Sequence, residues 1–484
     1  MASRASGARQ TIKVLIHDAI QSAPDFERGL HLGTVVREGA LQGSGVFESA
    51  VVAAEMPFTH AGLHWRGAFA GPDASAFEVR TSADGVTWGS WRRLVIEAHP
   101  EDTPRGETFF ALVAAPRHRF LQFRATLSGA QRVERVTATL LNTADGPRLQ
   151  SQQSLTPVKP PVIDMSREDW GCDESRRFAG GKEIWARMYV PVKKMVVHHT
   201  ASTNGADPIQ DINAIYTYHA VTLGWGDIGY NGLVDVNGVR YEGRYSREFP
   251  EAGTREVFGP DVVAGHASAH NYGTCGVAAM GNFEEVPTPD DGRMVNALVS
   301  LLSFQASLRE VDPNVWSDFL QSGGSWTRAL GNVCGHRDCN ATACPGRYLY
   351  EQLPSIRAAV AARVGFGAAP GLSGPDGGTV RRGTLSYSWT RQPGYRYSYY
   401  LEGWSKSPAS EAIGYLSGYD SSRYPVWSTP SAEVSSAEYA GLADGHYTFH
   451  LKRIDLSNAV SYQANKTVLM QGGGGGGGGG RPRR

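Results

Sequence analysis

In the stretch GHRDCNATACPG, residues 335–346, an imidazole and a thiol stand eight positions apart, at His336 and Cys344. Glycine and proline punctuate the segment, which predicts a loop rather than a regular helix. Imidazole nitrogen and thiolate sulfur are good Zn2+ ligands, and three protein ligands with one open position make a catalytic site rather than a closed structural one. Two ligands are here, so a third must come from elsewhere. A rival arrangement closes the site, with Cys334, Cys339 and Cys344 joining His336 in a zinc knot. For the open arrangement a histidine at a strand end is well placed, and KMVVHHTAS, residues 194–202, ends its apolar run on two of them. Side chains alternate across a strand, so His198 and His199 face opposite ways and cannot both reach one small site.

The elements that must hold these residues are a mixture of strands and helices over residues 166–362. KMVVHH reads as a strand. DPIQDINAIYTYHAVTLGW opens with Asp207 before Pro208, an N-cap and first-turn pair, and Ile209, Ile212, Ile215 or Tyr216, and His219 follow at helical spacing. IGYNGLVDVNGVRYEGR predicts a hairpin turning at Asn237-Gly238, and TCGVAAMGNF a strand of small residues. TPDDGRMVNALVSLLSFQASLRE and GRYLYEQLPSIRAAVAARV read as amphipathic helices, the second adjusted around Pro354. A mixed sheet flanked by helices accommodates this pattern.

On either side the chain reads as all-β, so the predicted fold class is multidomain. An α/β domain lies between an N-terminal β-sandwich and a small C-terminal one. Residues 28–145 carry alternating segments such as FEVRTSADGVTWGSWRRLVIE and RFLQFRATL, broken by turn signals. VRTSADGVTWGSW resembles strand–turn–strand pieces of jelly-roll modules, and Trp88 and Trp91 within it are expected to pack rather than to bind sugar. Residues 146–165 and 363–378 read as linkers, and 379–470 as a sandwich of fibronectin-type-III-like character. The glycine-rich end, 471–484, cannot bury a core and is expected to be disordered.

Lys plus Arg and Asp plus Glu are equal at 47 each. That balance gives no general drive toward nucleic acid or anionic membrane. No window approaches the ~18 uninterrupted apolar residues of a membrane span. The opening MASRASGARQTIKVLIHDAI shows no clear signal peptide. Five cysteines leave at least one unpaired in a monomer; Cys334 with Cys339, and Cys172 with Cys275, are the disulfide pairings weighed, although spacing does not fix connectivity.

Four phrases occur in order: VVHHTAS, YHAVTLGWGDIGYNGLVDVNGVRYEGR, AGHASAHNYGTCGVAAMGNF and GHRDCNATACPGRYLYEQLPSIR. Together they closely resemble the N-acetylmuramoyl-L-alanine amidase and peptidoglycan-recognition-protein family, over residues 166–362. The resemblance implies a zinc site at the base of a groove, with His198, His336 and Cys344 as metal ligands. It implies Tyr230 beside the reacting water and Thr342 two positions before the ligand cysteine, where some phage members carry lysine. It places His219, His266 and Asn271 at a muropeptide groove. Asp227 and Glu242 are weighed as a general base, with Asp227 expected to brace its loop, and Arg244 is expected in a structural ion pair. The implied activity is zinc-dependent hydrolysis of the amide joining N-acetylmuramic acid to L-alanine in peptidoglycan. The rivals are a non-catalytic muropeptide-binding protein, whose kind typically lose the cysteine, and a zinc peptidase cutting within the stem peptide. Peptidoglycan as partner implies an extracellular or cell-wall location, with the flanking β domains as wall-polymer tethers.

Overall fold

The computed structural model describes residues 14–68, 76–128, 131–144, 163–190, 192–205, 207–246, 261–309, 311–364, 371–393, 395–404, 432–442, 444–454 and 460–471. At the centre is a five-stranded sheet in the order Arg240–Glu242, Gly232–Val234, Thr274–Ala279, Lys194–His199, Val333–Gly335. The first strand is antiparallel to its neighbour and the rest are parallel. Parallel strands are covered on both faces, which is why VVHH and CGVAA are buried throughout.

Alternation sorts the side chains. Met195, Val197, Cys275 and Val277 pack with Leu298 and Leu301 of helix Arg293–Leu308 and with Ile356 and Val360 of helix Leu353–Val364. Val196 and Cys334 join a separate cluster with Phe319 and Leu330. Each such apolar side chain, fully buried, contributes roughly 1.5–3 kcal/mol.

Local signals explain the elements around the sheet. Asp207 caps helix Pro208–Thr217, its carboxylate accepting from Ile209 N at 3.0 Å. The helix runs on into a π-helical turn, Tyr218–Thr222, which carries His219. The hairpin turns at Gly238, whose φ of 82° favours glycine, while Asp235 Oδ1 accepts from the backbone N–H groups of Asn237 and Val239, both at 2.9 Å. The helix expected to adjust around Pro354 is two helices, Arg347–Tyr350 and Leu353–Val364. Pro354 then sits in a first turn, where its missing N–H costs nothing.

The N-terminal strands form a ten-stranded sheet system around Phe47, Phe58, Phe77 and Phe123. It starts at Leu15, upstream of the expected residue 28, because Leu15–Gln21 pairs along its whole length with Val136–Asn142. This region does not stand clear of the centre. Val14, Phe109, Leu112 and Leu141 share an apolar cluster with Ile209, Ile212, Tyr216 and Tyr218. The Tyr218 hydroxyl donates to Phe110 O at 3.0 Å, and His60 Nε2 meets Asp211 Oδ1 at 2.9 Å, both buried.

Of the first expected linker, residues 146–162 lie outside the described residues, and Met165 already bridges to Tyr241 beside the central sheet. Among the described residues, the C-terminal strands form one sheet of three and one of four. The expectation of a disordered tail falls on 472–484, outside the described residues. All five cysteines are free thiols. Cys172 and Cys275 lie in different apolar clusters, so that pairing is not formed, and Cys334 and Cys339 are neighbours without a bridge. Trp91 packs beneath Arg80 and Arg124, at 4.4 and 4.7 Å, and Trp88 lies 5.1 Å from Arg80, which also bonds Glu48. No helix among the described residues is long and apolar enough to cross a membrane.

Candidate metal centre and cleft

Sheet order brings two distant histidines together. Val197 is in register with Gly335, so His336, the next residue, comes up beside His198 with ring centroids 4.6 Å apart. The 336–344 loop folds back on itself. Arg337 N donates to Cys344 O at 2.8 Å, and its guanidinium bonds Ala343 O. Thr342 Oγ1 accepts from Cys344 N at 3.2 Å, and Tyr350 OH donates to Asp338 at 2.6 Å. The loop thereby delivers its thiol to the place where its histidine already stands.

One ligand atom from each of His198, His336 and Cys344 lies within 4.8 Å of the other two. Cys344 Sγ is 3.6 Å from His198 Nδ1. A tetrahedral ion with metal–sulfur and metal–nitrogen bonds of ~2.3 and ~2.0–2.1 Å holds such a pair ~3.6 Å apart, so the donor set fits zinc. Among the described residues no fourth His, Cys, Asp or Glu joins the three. The closed knot expected as the rival is therefore absent: Cys334 is turned into the Val196 and Phe319 cluster.

Hydrogen bonds fix which nitrogen of His198 is available. Thr274 Oγ1 donates to His270 O at 2.6 Å, so it accepts from His266 Nε2 at 3.2 Å. His266 Nδ1 is then an acceptor, and His198 Nε2–H donates to it at 3.0 Å. Nδ1 of His198 is left unprotonated, facing the thiol. Such partners on the far nitrogen orient metal-binding imidazoles. Burial holds the three rings neutral, with His198 well below the usual histidine range, His336 down to about 4 and His266 to about 3. Burial also pushes the Cys344 thiol up to about 12, and the His199 N–H, 3.4 Å from Sγ, works against that shift. A thiolate here calls for a cation.

His199 does face the other way, as strand alternation requires. Its Nδ1 accepts from Phe283 N at 3.1 Å. Tyr230 lies between His198 and His219, at centroid distances of 5.5 and 5.8 Å, and is 7% exposed. Burial, with the Glu97 and Cys344 charges behind it, pushes its phenol well above the ordinary range, so it keeps its proton as a donor.

Beside these residues opens a cleft of about 490 Å³ whose lining includes His266, Asn271, His336 and Thr342. Asn271 Oδ1 is spent on the N–H groups of His266 and Ala267, at 3.0 and 2.8 Å. His266 is engaged at both nitrogens, so its first task is to support His198. His219 departs further from the expected groove contact. It is 1% exposed, Nδ1 accepts from Gly229 N at 3.1 Å, and Nε2 meets Glu97 Oε1 at 2.7 Å. With both nitrogens taken and the ring covered, it stands behind the wall rather than on it.

The weighed bases are also accounted for. Burial opposes ionisation of Asp227, but the guanidiniums of Arg167 and Arg244, at 2.9 and 2.8 Å, outweigh it and hold its carboxyl below the usual range. Arg244 is thus in a buried ion pair, and Asp227 braces its loop as expected. Glu242 is fully buried and accepts from Arg167 N at 2.8 Å. Neither lines the cleft. What the motifs do not reveal is Glu97, with Ile96, His99, Asp102 and Pro104, as one wall of that cleft. RRLVIEAHP carries no pattern that marks a site.

The α/β layout thus brings together a two-histidine, one-cysteine cluster whose donor atoms fit a metal ion. The family model described as N-acetylmuramoyl-L-alanine amidase matches residues 188–347. Peptidoglycan recognition protein 1 of Mus musculus is 30% identical over 178 residues, covering 36% of this chain and 80% of that protein. A peptidoglycan-recognition protein of Drosophila simulans is 28% identical over 169 residues, covering 34% of this chain and 75% of that protein. The Homo sapiens protein named N-acetylmuramoyl-L-alanine amidase is 29% identical over 171 residues, which are 34% of this chain and 24% of that protein. The chain belongs to the family of N-acetylmuramoyl-L-alanine amidases and peptidoglycan recognition proteins.

Proposed function

We propose that the protein is a zinc-dependent amidase that hydrolyses the bond between N-acetylmuramic acid and L-alanine of the stem peptide, acting on peptidoglycan outside the cell. The carrying observation is that His198, His336 and Cys344, far apart in sequence, present their ligand atoms within 4.8 Å of one another. Retention of the cysteine favours catalysis over recognition alone.

His198 Nδ1, His336 and Cys344 Sγ would hold the ion. When bound there, zinc supplies Lewis acidity toward water and toward the scissile carbonyl. The chain's own residues do the rest. His266 keeps His198 in the tautomer that frees Nδ1, and the backbone N–H of His199 stabilises the Cys344 thiolate. The Tyr230 hydroxyl, its proton retained by burial, donates a hydrogen bond to the oxygen that gains negative charge as the amide is attacked. Thr342 holds Cys344 in place through its backbone N–H. The walls of the cleft orient the muropeptide and exclude bulk water.

Product analysis tests this. Incubation with soluble muropeptide should release free muramyl glycan and intact stem peptide, with activity lost on chelation and restored by zinc. Shortened peptides would assign the site to a stem peptidase. Binding without any product would leave a recognition protein.

A further inference from the structure

We propose that Glu97, contributed by the N-terminal β region, is a positioning residue for the hydrolysis: it locks His219 in one tautomer and orientation and so seats the Tyr230 ring. This rests on the amidase reading above and makes the N-terminal strands part of the working site rather than a remote tether.

The lock follows from hydrogen-bond bookkeeping on one ring. Gly229 N–H can only donate, and it points at His219 Nδ1 from 3.1 Å, so Nδ1 carries no hydrogen. The proton therefore sits on Nε2, where Glu97 Oε1 accepts it at 2.7 Å. That length is typical of a charge-assisted bond. The side chains are 2% and 10% exposed, which leaves little water to replace the carboxylate. A buried donor without its acceptor costs about 1–3 kcal/mol, enough to drive a ring flip or shift.

The consequence passes to the reacting centre by contact. His219 is flanked by the Trp225 ring at 5.0 Å and the Tyr230 ring at 5.8 Å, and Tyr230 lies 5.5 Å from the metal-binding His198. Trp225 is itself tied to the same N-terminal segment, its Nε1–H donating to Asp102 O at 3.0 Å. A small ring movement at His219 would therefore displace the phenol that serves the oxyanion. Glu97 lies 122 residues before His219 and outside the family-matched segment 188–347, so this chain supplies the lock from its own added strands.

The test uses the full chain with Glu97→Ala and Glu97→Gln, and His60→Ala as control, since that change breaks another buried bond to the central helix at Asp211. Readouts are kcat and KM on soluble muropeptide, bound zinc, thermal midpoint, and 15N shifts of the His219 ring. E97A should lose kcat by ~10–100-fold, the range seen when an outer hydrogen-bond partner is removed, with zinc content near wild type and a changed tautomer signature at His219. E97Q retains an oxygen acceptor for Nε2–H and should recover most of kcat. H60A should lower the thermal midpoint without that kcat loss. The proposal is overturned if E97A keeps wild-type kcat, or if H60A loses kcat equally at an equal drop in midpoint. If wild-type protein releases no stem peptide at all, the amidase reading fails separately. The lock is then judged by the 15N shifts alone, and an unaltered Nε2–H tautomer in E97A sinks it.

Discussion

A methyl group at Gly276 would sit 2.3 Å from Cγ of His266, 2.5 Å from Cδ2 and 2.7 Å from Nδ1. Favourable carbon contacts begin at ~3.5 Å, so either the ring or the strand must retreat by about 1.2 Å. The strand is pinned. Gly276 N donates to Asn231 Oδ1 at 2.8 Å, its carbonyl accepts from Asn231 N at 2.9 Å, and it is in register with Val196 on the neighbouring strand. The ring must move, and the 3.0 Å bond from His198 Nε2 then opens to ~4 Å, which is no longer a hydrogen bond. Gly276→Ala should therefore weaken zinc binding by ~10–100-fold, and overpacking should cost ~1–3 kcal/mol of stability. Zinc competition against a chromophoric chelator, together with chemical denaturation of the zinc-free protein, measures both. Wild-type zinc affinity in a stably folded G276A protein would refute the account of how His198 is oriented.

Cys344→Ser should reduce zinc affinity by more than the ~10–100-fold of an outer partner and abolish stem-peptide release, read by metal analysis and product chromatography on the same preparation. Tyr230→Phe should keep zinc and KM but lower kcat by ~10²–10³-fold, as expected for loss of one oxyanion donor; an unchanged kcat would remove Tyr230 from the mechanism. Burial pushes the Asp312 carboxyl up to about 6, and it is 2% exposed. The native state then keeps a proton that the unfolded chain releases above ~3.9, so stability falls as pH rises through that window, by up to ~3 kcal/mol at pH 7. Asp312→Asn retains an acceptor for Asn314 N and should stabilise by ~1–3 kcal/mol at pH 7, with the gain vanishing below pH ~4 in denaturation curves.

Features encoded by neighbouring residues are legible in the sequence. Strand alternation separates His198 from His199, Asp207 and Pro208 announce a helix start, and Asn237-Gly238 marks a turn; in each case a short pattern fixes the local geometry. The GHRDCNATACPG segment shows zinc-binding side chains close together, but its Gly and Pro do not exclude the short helix His336–Cys339, and the choice of His336 and Cys344 over the other cysteines comes from the family resemblance. Contacts between distant segments are not legible. Glu97 meets His219 across 122 positions, and nothing in VIEAHP distinguishes a carboxylate at a cleft from one facing solvent. Helical spacing puts His219 on the right element but cannot show that N-terminal strands cover it. The strand at Leu15 escapes a reading by pattern because its partner, Val136–Asn142, lies at the other end of the β region, so only the pairing gives the short apolar run its place.

The apolar cluster joining Phe109, Leu112 and Leu141 to Ile209, Ile212 and Tyr218 constrains how the molecule can be dissected. Trimming to the family-matched residues would strip the cover from a helix that is buried on nearly every side, its apolar Ile209, Ile212 and Tyr216 included, and leave the Tyr218 hydroxyl without Phe110 O. Such a fragment would present a sticky flank to water and tend to self-associate. Its failure in an assay would report the missing cover before it reported anything about the metal.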